Sequence, residues 1–178
     1  MPQSLPSTPL SSNLYLSIDI AHQTLSVYKD GDVQQRYIIS SAKNGIGSQE
    51  NSGCTPLGRH RIAAKIGADT PINSVFIGRV PTGEIYTPEL GAAHPERDWI
   101  LTRIFWLAGE EAGVNKGSNA HGCCDSYQRY IYIHGTPDSE PMGVPMSHGC
   151  IRMRNTDILA LFNTVQEGTV VDITNNDK

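Results

Sequence analysis

The sequence predicts a mostly-β fold, a β-sandwich or barrel-like domain with one main helix, and three observations carry that prediction. Apolar and polar residues alternate at the two-residue period of half-buried strands in several separate stretches. Seventeen glycines and eleven prolines among 178 residues exceed the usual share of a soluble chain and imply many turns. Helical spacing is sustained in one stretch, residues 155–168.

Residues 1–12 are rich in Ser and Pro, with too little apolar surface to offset the entropy of ordering them, so a disordered tail is expected there and one domain over residues 13–178. The opening segment has no positive charge and no apolar stretch, and does not read as a secretory leader. From residue 14, Leu14, Leu16, Ile18 and Ile20 alternate with Tyr15, Ser17 and Asp19, and Leu25 and Val27 continue the pattern. Asp30-Gly31 is a hairpin turn signal and residues 33–40 read as the next strand, so the domain opens as a β-meander. After a Gly- and Ser-rich loop at 44–53, Thr55-Pro56-Leu57-Gly58 makes a tight turn into a strand at 59–66.

Further strands are expected at 75–80 and 99–107. The second mixes aromatic and β-branched residues without alternation, as a strand buried on both faces does. Residues 110–127 are polar and glycine-rich and are expected to form a loop or lid. Tyr130-Ile131-Tyr132-Ile133-His134 alternates and stops at Gly135, placing His134 at a strand end. The helix is expected to take Asn155 as its N-cap, present Ile158, Leu161, Phe162 and Val165 on one face, and end just before Gly168. Residues 169–174 form the last strand.

Composition excludes several functions. Charged residues are 18% of the chain and the formal net charge is −4, so no broad electrostatic surface is offered to nucleic acid or anionic lipid. No window approaches the roughly 18 uninterrupted apolar residues of a transmembrane segment, and a monomer is expected. Cys54, Cys123, Cys124 and Cys150 contain no Cys-x-x-Cys pair; a disulfide between Cys54 and the Cys123/Cys124 pair is accommodated and not demanded. His121 beside Cys123 and Cys124 invites a zinc reading, but adjacent cysteines lack the usual ligand spacing, so no metal and no cofactor is expected.

The segment 134–154, HGTPDSEPMGVPMSHGCIRMR, carries the chemistry. A thiol is a poor nucleophile while protonated, so a catalytic cysteine needs a nearby imidazole or a field of backbone N–H groups. His134 on a strand end supplies the first. Gly149, directly before Cys150, lets backbone N–H groups approach a developing oxyanion. Residue types alone leave the plain alternative open, a small buried thiol and a hydrogen-bonded core histidine.

Ser147-His148-Gly149-Cys150-Ile151-Arg152-Met153, with His134-Gly135-Thr136 upstream, closely resembles the motif of the L,D-transpeptidase catalytic domain family. The opening meander and the Thr-Pro-x-Gly turn at 55–58 extend the likeness to roughly residues 14–174. The resemblance implies that Cys150 attacks a carbonyl, that His134 takes the thiol proton, and that the carbonyl of Gly135 orients the imidazole. Backbone N–H groups of His148, Gly149 and Cys150 would form the oxyanion hole, with Ser147 and His148 shaping the loop. Ser147 and Tyr132 are further candidates for substrate contact, Tyr132 by sharing a strand face with His134. Many members carry Asn where Arg152 stands, and this guanidinium either binds a substrate carboxylate or pairs with an acidic neighbour. Arg103 and Trp106 precede the lid, with core packing and a cation–π contact as their plain reading.

The substrate implied is the peptidoglycan stem tetrapeptide, cut between the L-centre of diaminopimelate and D-Ala through a Cys150 thioester. An amine acceptor would give a cross-link, a D-amino acid exchange, and water an L,D-carboxypeptidase. The rivals are a non-catalytic peptidoglycan-binding module of the same fold and a thiol hydrolase of another fold with an Asn or Asp on its histidine. The resemblance places the protein in the cell envelope or periplasm, whereas the absent leader gives the cytoplasm as the literal alternative.

Overall fold

In the computed structural model, which describes residues 13–177, the expected meander is β1 (Leu14–Asp19), β2 (Thr24–Lys29) and β3 (Asp32–Ser40). The expected tail lies outside the described residues. There follow β4 (Gly58–Ile66), the hairpin β5 (Ser74–Ile77) and β6 (Val80–Ile85), helix α1 (Pro88–Ala93) and the long strand β7 (Ile100–Gly109). A small hairpin, β8 (Ser118–Asn119) and β9 (Gly122–Cys123), sits inside the 110–127 loop. β10 (Tyr132–Thr136), β11 (Ile151–Arg154), α2 (Asn155–Thr164) and β12 (Val170–Thr174) complete the chain.

The strands pair in the order β10-β11-β3-β2-β1-β12-β4-β7, and β10 pairs again with β7, closing the sheet into a barrel with β5 and β6 attached beyond β7. Closure decides between the two expected β architectures, because it leaves no unpaired edge around the ring. Period-two alternation points Leu16, Ile18, Leu25 and Val27 inward, where they meet Phe105, Ile133, Ile151 and Met153. The apolar face of α2, Ile158, Leu161 and Phe162, packs into the same core. Each such side chain contributes about 1.5–3 kcal/mol by leaving water.

Several expectations change in detail. The strand expected to stop at His134 begins at Tyr132 and runs on through Gly135 to Thr136, where pairing with β11 and β7 continues it, so His134 is mid-strand. Residues 75–80 are the two arms of a hairpin turning at Gly78 (φ 60), where a positive φ favours glycine. Helix α1 was not expected; its start is marked by Thr87, whose Oγ1 accepts from Leu90 N at 3.1 Å, and by Pro88 in the first turn. In α2 the N-cap is Arg154, without a side-chain cap bond, and Asn155 is the first helical residue. The helix stops at Thr164, where Lys65 of β4 donates to the carbonyls of Phe162 (2.6 Å) and Val165 (2.8 Å); Gly168 belongs to the turn into β12.

Candidate active site

His134 lies in the middle of the sheet, on β10 between β11 and β7, and is 1% exposed. The register against β7 shifts between His134 and Gly135, where Thr102 bulges out of β7 in left-handed backbone (φ 72). That conformation costs a β-branched residue on the order of 1–3 kcal/mol, and the surroundings hold it. Thr102 Oγ1 accepts from Asn73 N (3.0 Å) and donates to Asn155 Oδ1 (2.6 Å), while Asn155 Nδ2 donates to the carbonyl of Thr136 (2.8 Å). Asn155 therefore braces the C-terminal end of β10, two residues beyond the imidazole. A Cβ at Gly135 would stand 2.5 Å from both Asn155 Oδ1 and the Leu101 carbonyl, so only glycine fits.

The imidazole Nδ1 donates to the carbonyl of Gly135 at 2.6 Å. A carbonyl only accepts, so Nδ1 carries the hydrogen and Nε2 keeps the lone pair of a base. Burial pushes the His134 pKa below its ordinary value, against the Gly135 bond and Asp98, which raise it; Arg152 lowers it further. The ring is neutral at neutral pH.

Cys150 sits on a turn braced from several distant segments. Ser147 Oγ donates to the Cys150 carbonyl (2.5 Å) and accepts from Gly149 N (3.2 Å). Gly149 has φ 139, and a Cβ there would lie 3.3 Å from the Cys54 carbonyl. Thr55 Oγ1 donates to the Gly149 carbonyl (2.9 Å) and accepts from Ala42 N (3.0 Å). Met146 N and Ser147 N both donate to the Ser41 carbonyl at 2.9 Å. Ser41 is itself gripped by Gln23, which donates to its Oγ (2.8 Å) and accepts from its N–H (2.9 Å).

The half-buried thiol accepts from Tyr132 N and donates to the Tyr130 carbonyl, both at 3.4 Å. Parallel register sets Cys150 beside Tyr132, with His134 two residues further along β10 on the same face. Ideal strand spacing puts the two Cα atoms about 8 Å apart. Burial drives the Cys150 thiol up to about 11, the Tyr132 N–H and the Arg152 and Arg129 guanidinium groups opposing and Asp98 reinforcing it. The resting pair is thus a protonated thiol and a neutral imidazole. Cys150, Gly149, His148, Arg129, Tyr130 and Glu50 line a groove of about 420 Å³.

Other candidates fall elsewhere. Arg152 is 8% exposed and pairs with Asp98 (3.2 Å) and Glu140 (3.7 Å), the acidic-neighbour alternative, which occupies the guanidinium otherwise available to a substrate. Ser147 is buried, its hydroxyl donating to the Cys150 carbonyl and accepting from the N–H of Gly149. The Tyr132 ring is packed edge-on against Trp106 with its hydroxyl accepting from Arg79 (3.0 Å); its backbone N–H is what reaches the sulfur. The His148 ring projects to solvent, 3.9 Å from Asp98, between the Cys150 groove and a second of about 260 Å³ beside Arg152. Arg103 donates to the Thr70 carbonyl and Trp106 stacks on Tyr127, both structural. All four cysteines are unpaired. Sequence reasoning missed Gln23, Asp98 and Arg129, and read Thr55 as turn-forming only.

The structure is a closed β-barrel with one main helix, and it brings Cys150, directly before β11, and His134 of the neighbouring β10 onto one face. The family profile of the L,D-transpeptidase catalytic domain (YkuD) matches residues 13–173, and the chain belongs to that family. A probable L,D-transpeptidase of Escherichia coli, YbiS, is 38% identical over 112 residues, covering 60% of this chain and 34% of that protein. A putative L,D-transpeptidase of Bacillus licheniformis, YkuD, is 39% identical over 71 residues, 37% of this chain and 43% of that protein. The chain therefore spans about a third to under half the length of these relatives. Among solved structures, L,D-transpeptidase 3 from Mycobacterium tuberculosis with a faropenem-derived adduct superposes with a TM-score of 0.55 at 16% identity, covering 92% of this chain and 60% of that one. An L,D-transpeptidase from Mycobacterium smegmatis gives 0.54 at 18% identity, covering 92% and 59%. At that identity the likeness is one of fold.

Proposed function

We propose that the chain is a cysteine acyltransferase that cuts peptidoglycan stem tetrapeptides between the L-centre of diaminopimelate and the terminal D-Ala. The observation that carries this reading is a thiol held by Tyr132 N–H, two residues along from an imidazole whose Nδ1 is tied to the Gly135 carbonyl. As Sγ bonds to the carbonyl carbon, its proton passes to His134 Nε2, and the carbonyl electron pair moves to oxygen near the backbone donors of the turn. Collapse breaks the C–N bond; the D-Ala amine takes the proton from Nε2 and leaves a thioester. An acceptor amine, a D-amino acid or water then loses a proton to Nε2 and attacks the thioester, returning the thiol.

Because the thiol rests protonated, attack requires a base to take its proton, and a neutral His134 is the correct form of that base. The substrate class places the protein's work in the cell envelope; no helix among the described residues is long and apolar enough to cross a membrane. Mass spectrometry of the purified protein with disaccharide-tetrapeptide tests the proposal. D-Ala release and a thioester on the Cys150 peptide are expected, and release that survives in Cys150→Ala would end it. A carbapenem should likewise add to the Cys150 peptide, and an adduct on Cys123 or Cys124 would contradict the assignment.

A further inference from the structure

Arg129 differs from Arg152 in one physical respect: it is half-buried beside Cys150 without an ion-pair partner among the described residues. Its Nη1 donates to the carbonyls of Ser48 (3.0 Å) and Gly47 (3.4 Å), and its Nη2 to the carbonyl of Cys54 (2.8 Å) and Ser52 Oγ (3.4 Å). These acceptors satisfy N–H groups with dipoles and bring no negative charge, so the guanidinium is offset only through space, by the exposed Glu50 of the same groove. A half-desolvated cation without a paired counter-ion is costly, and an arriving anion recovers that cost. The guanidinium is also close to the reacting centre. Nη2 is 4.0 Å from where a Cβ on Gly149 would stand, and the missing side chain of Gly149 leaves that approach open.

A peptide cut one residue before its end carries its terminal carboxylate carbon about 3.6 Å beyond the scissile carbonyl carbon, the reach of one extended residue. With the scissile carbonyl on Cys150, that carboxylate falls within the groove that Cys150 and Arg129 share. We infer that Arg129 is a specificity-determining residue that recognises the free C-terminal carboxylate of the donor peptide, an inference resting on the stem-tetrapeptide reading above. Its fixed fork is held in place by the 47–54 carbonyls, so the charge is pre-organised before the donor arrives. Glu50, exposed and lining the same groove, repels that carboxylate and leaves Arg129 as the groove's cation. The arrangement favours donors that end one residue after the cut over donors that are longer or amidated.

Binding to the Cys150→Ala protein tests this without requiring turnover. Calorimetry with the tetrapeptide as free acid and as C-terminal amide should give an affinity about tenfold higher for the acid, the scale of one close attraction between opposite charges at a partly buried site. Adding Arg129→Gln should abolish the difference by weakening the acid alone, and Arg129→Lys, which keeps the charge and loses the fork, should keep part of it. Equal losses on acid and amide in both Arg129 variants, after thermal unfolding shows them folded, would make Arg129 a mere strap and overturn the inference. Equal affinity of the parent for acid and amide would also overturn it and leave the stem-peptide reading standing; binding of neither peptide would sink that reading itself.

Discussion

The two reacting side chains are seated in opposite ways. His134 belongs to a strand with partners on both sides, is almost wholly buried, and is oriented by a single bond to the next residue's carbonyl. Cys150 belongs to a turn, is half-buried, and is held through Ser147, Thr55, Ser41 and Gln23, which come from four separate places in the chain. The base is fixed by secondary structure and the nucleophile by long-range polar bracing. The general lesson is that a turn can be as well defined as a strand only if buried hydroxyl and amide groups replace the missing ladder.

If the two seats are independent, they can be broken one at a time. The largest effect is expected for Gly135→Ala, whose Cβ would enter the space of Asn155 Oδ1 and the Leu101 carbonyl. Urea unfolding should register a loss of about 3 kcal/mol, the upper range for overpacking, with activity falling to background. Next is Thr55→Val, which removes the donor to Gly149 and the acceptor for Ala42 at a buried site. It should cost about 1–3 kcal/mol and slow acylation at least tenfold, while the His134 NMR titration stays where it was. Asn155→Ala is its mirror, at similar cost: the His134 titration should move and alkylation of Cys150 by iodoacetamide should change less than twofold. A shift of both readouts in either variant would mean that the seats are coupled.

Acid should act on the histidine seat first. Burial holds His134 and also His60, whose Nε2 meets Ser126 Oγ at 2.7 Å, below the ordinary histidine value of about 6.5. The unfolded chain then binds protons that the folded chain refuses. Stability is full above about pH 6.5 and declines as pH falls below it toward the folded-state values. Urea midpoints measured from neutral to mildly acidic pH should fall, and a flat profile would contradict neutral burial. The smallest effect is expected for Asp98→Asn. Asp98 raises both His134 and Cys150, so its removal lowers both, and alkylation of Cys150 in mildly alkaline buffer should quicken by about two- to threefold.

How much was legible follows the same division. Strand alternation placed Leu16, Ile18 and Ile133 correctly because neighbouring residues alone set which face each takes, whereas His134, expected at a strand end, is mid-strand because pairing carries β10 on to Thr136. The helix after Cys150 was readable from its apolar period. Its start was not, because Asn155 turned from cap to core bracing on meeting Thr102, which lies far away in sequence. The six-residue α1 is too short for periodicity and buries nothing, which left only its Thr87 cap as a signal. Arg152 was left between two roles that only the position of Asp98 decides, and Thr55 looked like a turn residue until the chain brought Gly149 to it. Apolar patterning is written locally, whereas polar partners are chosen by the fold.

If the nucleophile rests as a protonated thiol beside a neutral imidazole, the ultraviolet absorbance of the thiolate reads it directly. Subtracting the titration of Cys150→Ala from that of the wild type should leave one transition with a midpoint at about 11 and no thiolate at neutral pH. A transition at or below neutrality, rising as the histidine gains a proton, would mean a preformed thiolate–imidazolium pair and would contradict the protonated resting thiol.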